Sequence, residues 1–341
     1  MHEPALADRV EILVLVDNVT DSLSTAPAYA ENEFRRYWRR GGQVLSGSCL
    51  CCAAHGLSCA ITAWRGEVAR TLLFDTGPDA AVFERNVERL GFDMGTVDAM
   101  MLSHGHWDHG GAMLRALDMI QARNGGREVP TYMHPDMYRT RAMRTPDGAM
   151  HRFEDVPSAA ALEARGARVV HAATAQTVLD DLFYVSGEIP RVMSFEEGLP
   201  GHYRRTEDGS GWEADPLITD ERFVAVSVKD KGVVVFTACS HAGVVNVLTH
   251  ARECFPGRPL HGVMGGFHLS GANEKIIPET VDAMRAFDLE AIMAAHCTRW
   301  RATRSCSTRP APPPASTTRP TAASGSCTRG WCSRGASAAS G

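Results

Sequence analysis

The chain has 341 residues and 44% hydrophobic content, enough for one large domain or two small ones around a substantial core. A formal net charge of -5 gives no basis for binding nucleic acid or an anionic membrane surface. The longest apolar runs, such as residues 232–236, are strand-length and far short of a membrane span.

The first ten residues lack a basic stretch followed by an apolar core, so a cytoplasmic protein without a secretory leader is expected. A strand is predicted over 10–16, ending at Asp17-Asn18. The run Cys49-Leu50-Cys51-Cys52 follows; it lacks the paired spacing of zinc ribbons, and the ten cysteines as a whole are expected as free thiols. A second strand begins within 55–61. Residues 71–74 form a third, halted by Asp75-Thr76-Gly77-Pro78. The helix after it runs through 86–90 and closes at Gly91, a residue suited to the left-handed cap position. Residues 97–102 read as a short buried strand that runs directly into His104. Over 111–122, Met113, Leu114, Leu117 and Ile120 recur at helical spacing. The span 223–236 reads as a hairpin around Lys229-Asp230-Lys231-Gly232. A helix over 244–254, a strand over 260–264, a helix over 278–287 opened by Pro278 and a strand over 289–295 complete the pattern.

From Arg301 the composition changes. The last 41 residues contain no Asp, Glu, Lys, Leu, Ile, Val, Met, Phe or Tyr. Such a segment cannot bury enough apolar surface to offset its ordering entropy, so residues 1–300 are expected to form the folded domain and 301–341 to be disordered. Arg, Ala, Ser, Thr, Pro, Gly and Cys are also what GC-rich codons yield out of frame. Reading 303–309 one base earlier can give a helix-like series of polar, small and apolar residues. The segment is therefore read as a frameshifted tail, with a natural flexible tail as the rival, and resequencing the locus separates the two.

The run His104-Gly105-His106-Trp107-Asp108-His109 carries the chemistry. Neutral imidazoles and a carboxylate suit zinc, iron and manganese. Alternate spacing lets His104 and His106 reach one side of an extended loop and hold one metal, while Asp108 and His109 in the following turn point at a second. Gly105, Gly110 and Gly111 permit the tight path.

With this run the sequence resembles the metallo-β-lactamase superfamily. Within it, the chain resembles the branch of dihydropterin-methyl-ribofuranosylaminobenzene-phosphate synthase and its bacterial relatives. The matching motifs span roughly residues 10–300: Leu15-Val16-Asp17-Asn18, His55-Gly56-Leu57-Ser58, Phe74-Asp75-Thr76-Gly77, Gly187-Glu188-Ile189-Pro190-Arg191, Cys239-Ser240-His241-Ala242-Gly243, Gly265-Gly266-Phe267-His268-Leu269 and His296-Cys297-Thr298. The resemblance implies an α+β fold, a four-layer αβ/βα sandwich with metals in a cleft at one edge. Here it is expected to lack its regular C-terminal elements.

The same resemblance implies His241 and His296 as further ligands and Asp75 as a support for ligand histidines. Relatives commonly place a metal-bridging Asp where Cys239 stands, so the bridge here is a thiolate or water. Cys239 and His241 cannot easily both point inward with one residue between them unless the loop is extended, and His241 is preferred. His268 is expected to face substrate. His55 lies where the related pattern has an acidic residue before it, but that position is Ala54. Glu188 and Arg191 are expected at the substrate, Arg191 as a clamp for phosphate or carboxylate.

Two divalent ions, zinc first and iron or manganese as alternatives, would activate water against a small anionic metabolite, with Asp108 as the catalytic carboxylate. The primary expectation is thus a metal-dependent hydrolase. The rival is a condensing synthase of the methanopterin-pathway type, joining an aminobenzoate ring to a ribosyl phosphate. Redox chemistry at iron and an inactive product of a damaged gene are the remaining readings. A homo-oligomer is compatible with all of them.

Overall fold

Two β-sheets pack face to face, because their strands carry apolar side chains on both faces. The computed structural model describes residues 4–308 and 332–333. The first sheet runs Arg9–Val16, Ser58–Arg65, Val68–Phe74, Ala99–Met101, Val129–Met133 and Ala167–His171, in sequence order. Its first three strands are antiparallel and its last four parallel. The second sheet orders Gln176–Val178, Phe183–Val185, Val224–Val228, Gly232–Thr237, Leu260–Gly265, Ala291–Ala294 and Cys332–Ser333, with Leu6–Ala7 beside Val224–Val228.

Alternation along each strand sorts the side chains into layers. Cys59, Ile61, Leu72 and Phe74 of the first sheet meet Val224, Val226, Val234 and Phe236 of the second in a shared core. Truncating Phe236 to alanine there would cost about 3–5 kcal/mol. On the outer face of the first sheet, Ala60, Leu73 and Met100 pack against Phe83 and Val87 of helix Ala80–Leu90 and Leu117 and Ile120 of helix Met113–Gln121. On the outer face of the second, Ala225, Val233 and Val235 pack against helices Val244–Cys254 and Ile277–Met284. The result is the helix–sheet–sheet–helix sandwich expected from the sequence.

Local signals act as predicted. Asp79 caps the helix Ala80–Leu90 by accepting from the amides of Ala81 and Val82, and Gly91 closes it at φ 58°. A third sheet, in the order Trp212–Ala214, His202–Arg205, Arg141–Arg144 and Met150–Arg152, has no counterpart in the sequence reading. Cys49, Cys51, Cys52, Cys59, Cys239, Cys254 and Cys297 are free thiols. No helix among the described residues is long and apolar enough to cross a membrane.

The segment beginning at Arg301 opens with order. Helix Arg299–Thr308 continues through it, and Ala302 is fully buried in the outer core of the second sheet. Alanine and arginine are strong helix formers, and Ala302 buries its methyl group without loss of rotamer freedom. Cys332–Ser333 adds a short antiparallel edge to Ala291–Ala294. The remainder of the stretch expected to be disordered, 309–331 and 334–341, lies outside the described residues.

Candidate metal centre

Parallel strands end at a common edge, and loops leaving their carboxyl ends gather there. Val68–Phe74 delivers Asp75, Ala99–Met101 delivers His104, Gly232–Thr237 delivers Cys239 and His241, Leu260–Gly265 delivers His268, and Ala291–Ala294 delivers His296. Several of these residues hold left-handed backbone: φ is 57° at Asp75, 54° at Ser240, 44° at His268 and 47° at His296. Non-glycine residues rarely adopt this region, and its concentration here marks loops bent to aim side chains. A side chain at Gly105 would place its Cβ 2.3 Å from the carbonyl oxygen of Met137, so the loop between His104 and His106 passes where only glycine fits.

Four sets of potential ligand atoms lie within 4.8 Å of one another: His104, His106 and His241; His104, His109 and Cys239; His55, Asp108 and His296; and Cys239, His268 and Cys297. In the first set, His104 Nδ1 lies 2.9 Å from Ser103 Oγ, which leaves Nε2 facing His106 Nδ1 at 3.0 Å. The ring of His241 stands 4.8 Å from that of His104 and 5.0 Å from that of His106. Burial holds all three imidazoles well below their ordinary pKa, so they are neutral and carry lone pairs. Both ring nitrogens of His241 are buried without a hydrogen-bond partner. Orphaned polar atoms beside converging imidazoles are costly unless a cation takes them up, and this donor set fits one.

Asp108 anchors the neighbouring set. Its Oδ2 lies 3.3 Å from His55 Nε2, 3.5 Å from His296 Nε2 and 3.8 Å from His109 Nε2. Burial raises the Asp108 carboxyl, but His109 and His296 more than offset it and hold the group below the usual carboxylate range. For His109, burial lowers the imidazole while Asp108 and Asp75 raise it, to about 9. The same acidic surroundings that retain a proton there would retain a metal ion. His296 places Nδ1 2.8 Å from Asn18 Oδ1 and donates its backbone amide to Asp17 at 2.7 Å, leaving Nε2 without a hydrogen bond and facing Asp108.

Asp75 supports this arrangement from behind. Its Oδ2 lies 2.7 Å from His109 Nδ1, and its two oxygens accept from the amide and hydroxyl of Ser103. Both Cys239 and His241 point inward, despite the single residue between them. Ser240, in its left-handed conformation, turns the chain so that the flanking side chains converge. His268 faces the sulfurs of Cys239 and Cys297 and stacks its ring 4.5 Å from that of His241. Arg191 donates from Nη2 to the carbonyl of Leu217, and Glu188 lies 3.4 Å from His134 Nε2; neither belongs to a ligand set.

Three further groups were not singled out from the sequence. His202 is fully buried, with Nε2 3.0 Å from His106 Nε2 and Nδ1 2.7 Å from the carbonyl of Asp215. Asp220 accepts the amide of Gly105 at 2.8 Å and pairs with Arg141 at 2.7 Å. Glu221 accepts the amides of His241 and Ala242, fixing the loop that carries them. Asp220, Glu221 and Arg222 are three consecutive charged residues, yet all three are buried. His202 gives no local signal, because its partner is supplied from 96 residues away.

By architecture the chain is a metallo-β-lactamase-fold protein. It superposes on a solved metal-dependent hydrolase of the β-lactamase superfamily with a TM-score of 0.62 and 21% identity, covering 87% of this chain and 91% of that one. In sequence it is similar to 7,8-dihydropterin-6-methyl-4-(beta-D-ribofuranosyl)-aminobenzene-5'-phosphate synthase of Methanocaldococcus jannaschii, at 26% identity over 73% of this chain and 82% of the relative. An uncharacterized protein of the same organism is 25% identical over 73% of this chain and 86% of its own length. No family model matches the chain.

Proposed function

We propose that the protein is a cytoplasmic metal-dependent hydrolase acting on a small anionic metabolite. The observation that carries this reading is the convergence of His104, His106 and His241 beside Asp108 and His296, with unpartnered buried nitrogens turned into the cluster. His104, His106 and His241 would hold one cation, and His55, Asp108 and His296 a second, with His109 between them. Zinc suits these ligands first, and iron or manganese second. Bound there, such ions supply Lewis acidity and make water a stronger acid at neutral pH.

The chain's own residues do the rest. Asp108, ionised and buried, orients the attacking water. Asp75 holds His109 in one tautomer, with Nε2 toward the site. His202, with Nε2 3.0 Å from His106 Nε2, orients that imidazole from behind. Arg191 would contact the substrate's anionic group, with Glu188 as a second substrate contact. Replacing Arg191 by alanine should then reduce turnover of phosphorylated substrates more than unphosphorylated ones, and equal losses would remove this role.

The test is metal analysis of the purified protein with a panel of phosphodiesters, lactones and thioesters. Hydrolysis of at least one class is expected, abolished by chelation and by Asp108→Asn. A fully metallated protein inert on the whole panel would defeat the hydrolase reading. The condensing synthase is the second reading, supported by the sequence likeness to the methanogen enzyme over most of its length. That relative's named product contains an aryl–ribosyl bond and a methyl–arylamine bond, either of which a condensing enzyme could form. Diphosphate release is therefore assayed with 4-aminobenzoate or 4-hydroxybenzoate plus phosphoribosyl diphosphate, and with a dihydropterin-methyl diphosphate plus an arylamine.

A further inference from the structure

Two buried cysteines beside the site are not used in the hydrolysis proposed above. Cys239 and Cys297 come from the ends of different strands, are both buried, and place their sulfurs 3.5 Å apart. Gly266 makes this possible, since a Cβ there would lie 2.6 Å from the sulfur of Cys297. His268 completes the group. Its ligand nitrogen falls within 4.8 Å of both sulfurs, and its Nδ1 is buried without a partner. Two sulfurs bound to one tetrahedral ion at ~2.3 Å each lie roughly 3.8 Å apart. A disulfide would need ~2.0 Å. The observed spacing is near the first value and far from the second.

From this geometry we infer that Cys239, Cys297 and His268 form a thiolate-bearing ligand set for a thiophilic divalent cation, with Cys239 shared between it and the histidine cluster. Cys239 Sγ is also 3.2 Å from His109 Nε2, so one sulfur stands at the junction of two ligand sets. Binding there replaces the thiol protons, which pass to solvent, and each sulfur gains a bond to the metal. Soft donors of this kind select zinc or cadmium over magnesium, calcium or manganese. The inference rests on the metal-enzyme reading but fails separately from it.

Cobalt is the probe, because thiolate ligation gives it an intense near-ultraviolet charge-transfer band that imidazole and carboxylate ligands do not. The reduced full-length protein, stripped with a chelator, is titrated with cobalt alone. The band is expected in the wild type, at about half intensity per bound cobalt in Cys297→Ser, and absent in the Cys239→Ser/Cys297→Ser double variant. A full-strength band in folded Cys297→Ser would overturn the assignment. So would cobalt binding to the wild type without a band, which leaves the metal-enzyme reading intact. Failure to bind any cobalt, zinc or manganese would defeat both. X-ray absorption on the wild-type cobalt protein needs no variant: sulfur in the first coordination shell is expected, and a shell of nitrogen and oxygen only rejects the proposal.

Discussion

Asp75→Asn tests how the site is held together. The aspartate is buried and keeps left-handed backbone at the end of Val68–Phe74. One oxygen accepts the Ser103 amide at 2.7 Å, and the other contacts the Ser103 hydroxyl at 2.8 Å and His109 Nδ1 at 2.7 Å. Asparagine has the same shape and can keep the first contact. Its amide nitrogen, placed at the second oxygen, would set an N–H against the proton on His109 Nδ1. Imidazole then favours protonation at Nε2, the nitrogen 3.2 Å from Cys239 Sγ, and the lone pair that would bind metal is lost. Changes to such supporting carboxylates cost about 10–100-fold in metal affinity. Loss of one hydrogen bond to a charged group costs the metal-free protein about 2 kcal/mol. Competition against a chromophoric chelator measures the first effect, and urea denaturation of the stripped protein the second. A variant with native circular dichroism and unchanged metal affinity would refute the assignment of Asp75.

Metal removal should destabilise the wild type: an ion present at about 100 times its Kd contributes about 2.7 kcal/mol, and His241→Ala should show little of that difference in thermal melts with and without chelator. Glu196 gives a pH signature. Burial raises its carboxyl to about 7, with the amides of Val245 and Asn246 opposing. Its folded pKa lies above the ordinary 4.5, so its stabilisation is complete below pH 4.5 and is lost as pH rises through about 7. Between pH 4.5 and 8 the wild type should lose about 3 kcal/mol relative to Glu196→Gln in paired denaturant titrations, and parallel curves would contradict this. His202→Ala should keep its metal content yet lower kcat about 100-fold, the scale of a positioned acid–base or orienting group, in steady-state assays on whichever substrate is identified. An unchanged kcat would dismiss His202 from the site.

The sequence by itself determined the layers and the first half of the site. Strand alternation at residues such as Ile61, Leu72, Val226 and Val234, and helical spacing at Leu117 and Ile120, are local patterns that specify which face is buried. His104 to His109 are consecutive, so the loop that carries them needs no distant partner to be recognised. What lies far apart in the chain was decided only by tertiary structure. His296 meets Asn18 across 278 residues, Gly105 meets Asp220 across 115, and Cys297 meets Cys239 across 58. No periodicity encodes such meetings, because they follow from which strands end side by side at one sheet edge. The buried Asp220-Glu221-Arg222 run was hidden for the same reason: Arg141 and backbone amides from other loops meet the two carboxylates, and Arg222 donates to the carbonyl of Ala172. The order of Arg299–Thr308 likewise comes from outside the segment, where the core of the second sheet receives Ala302.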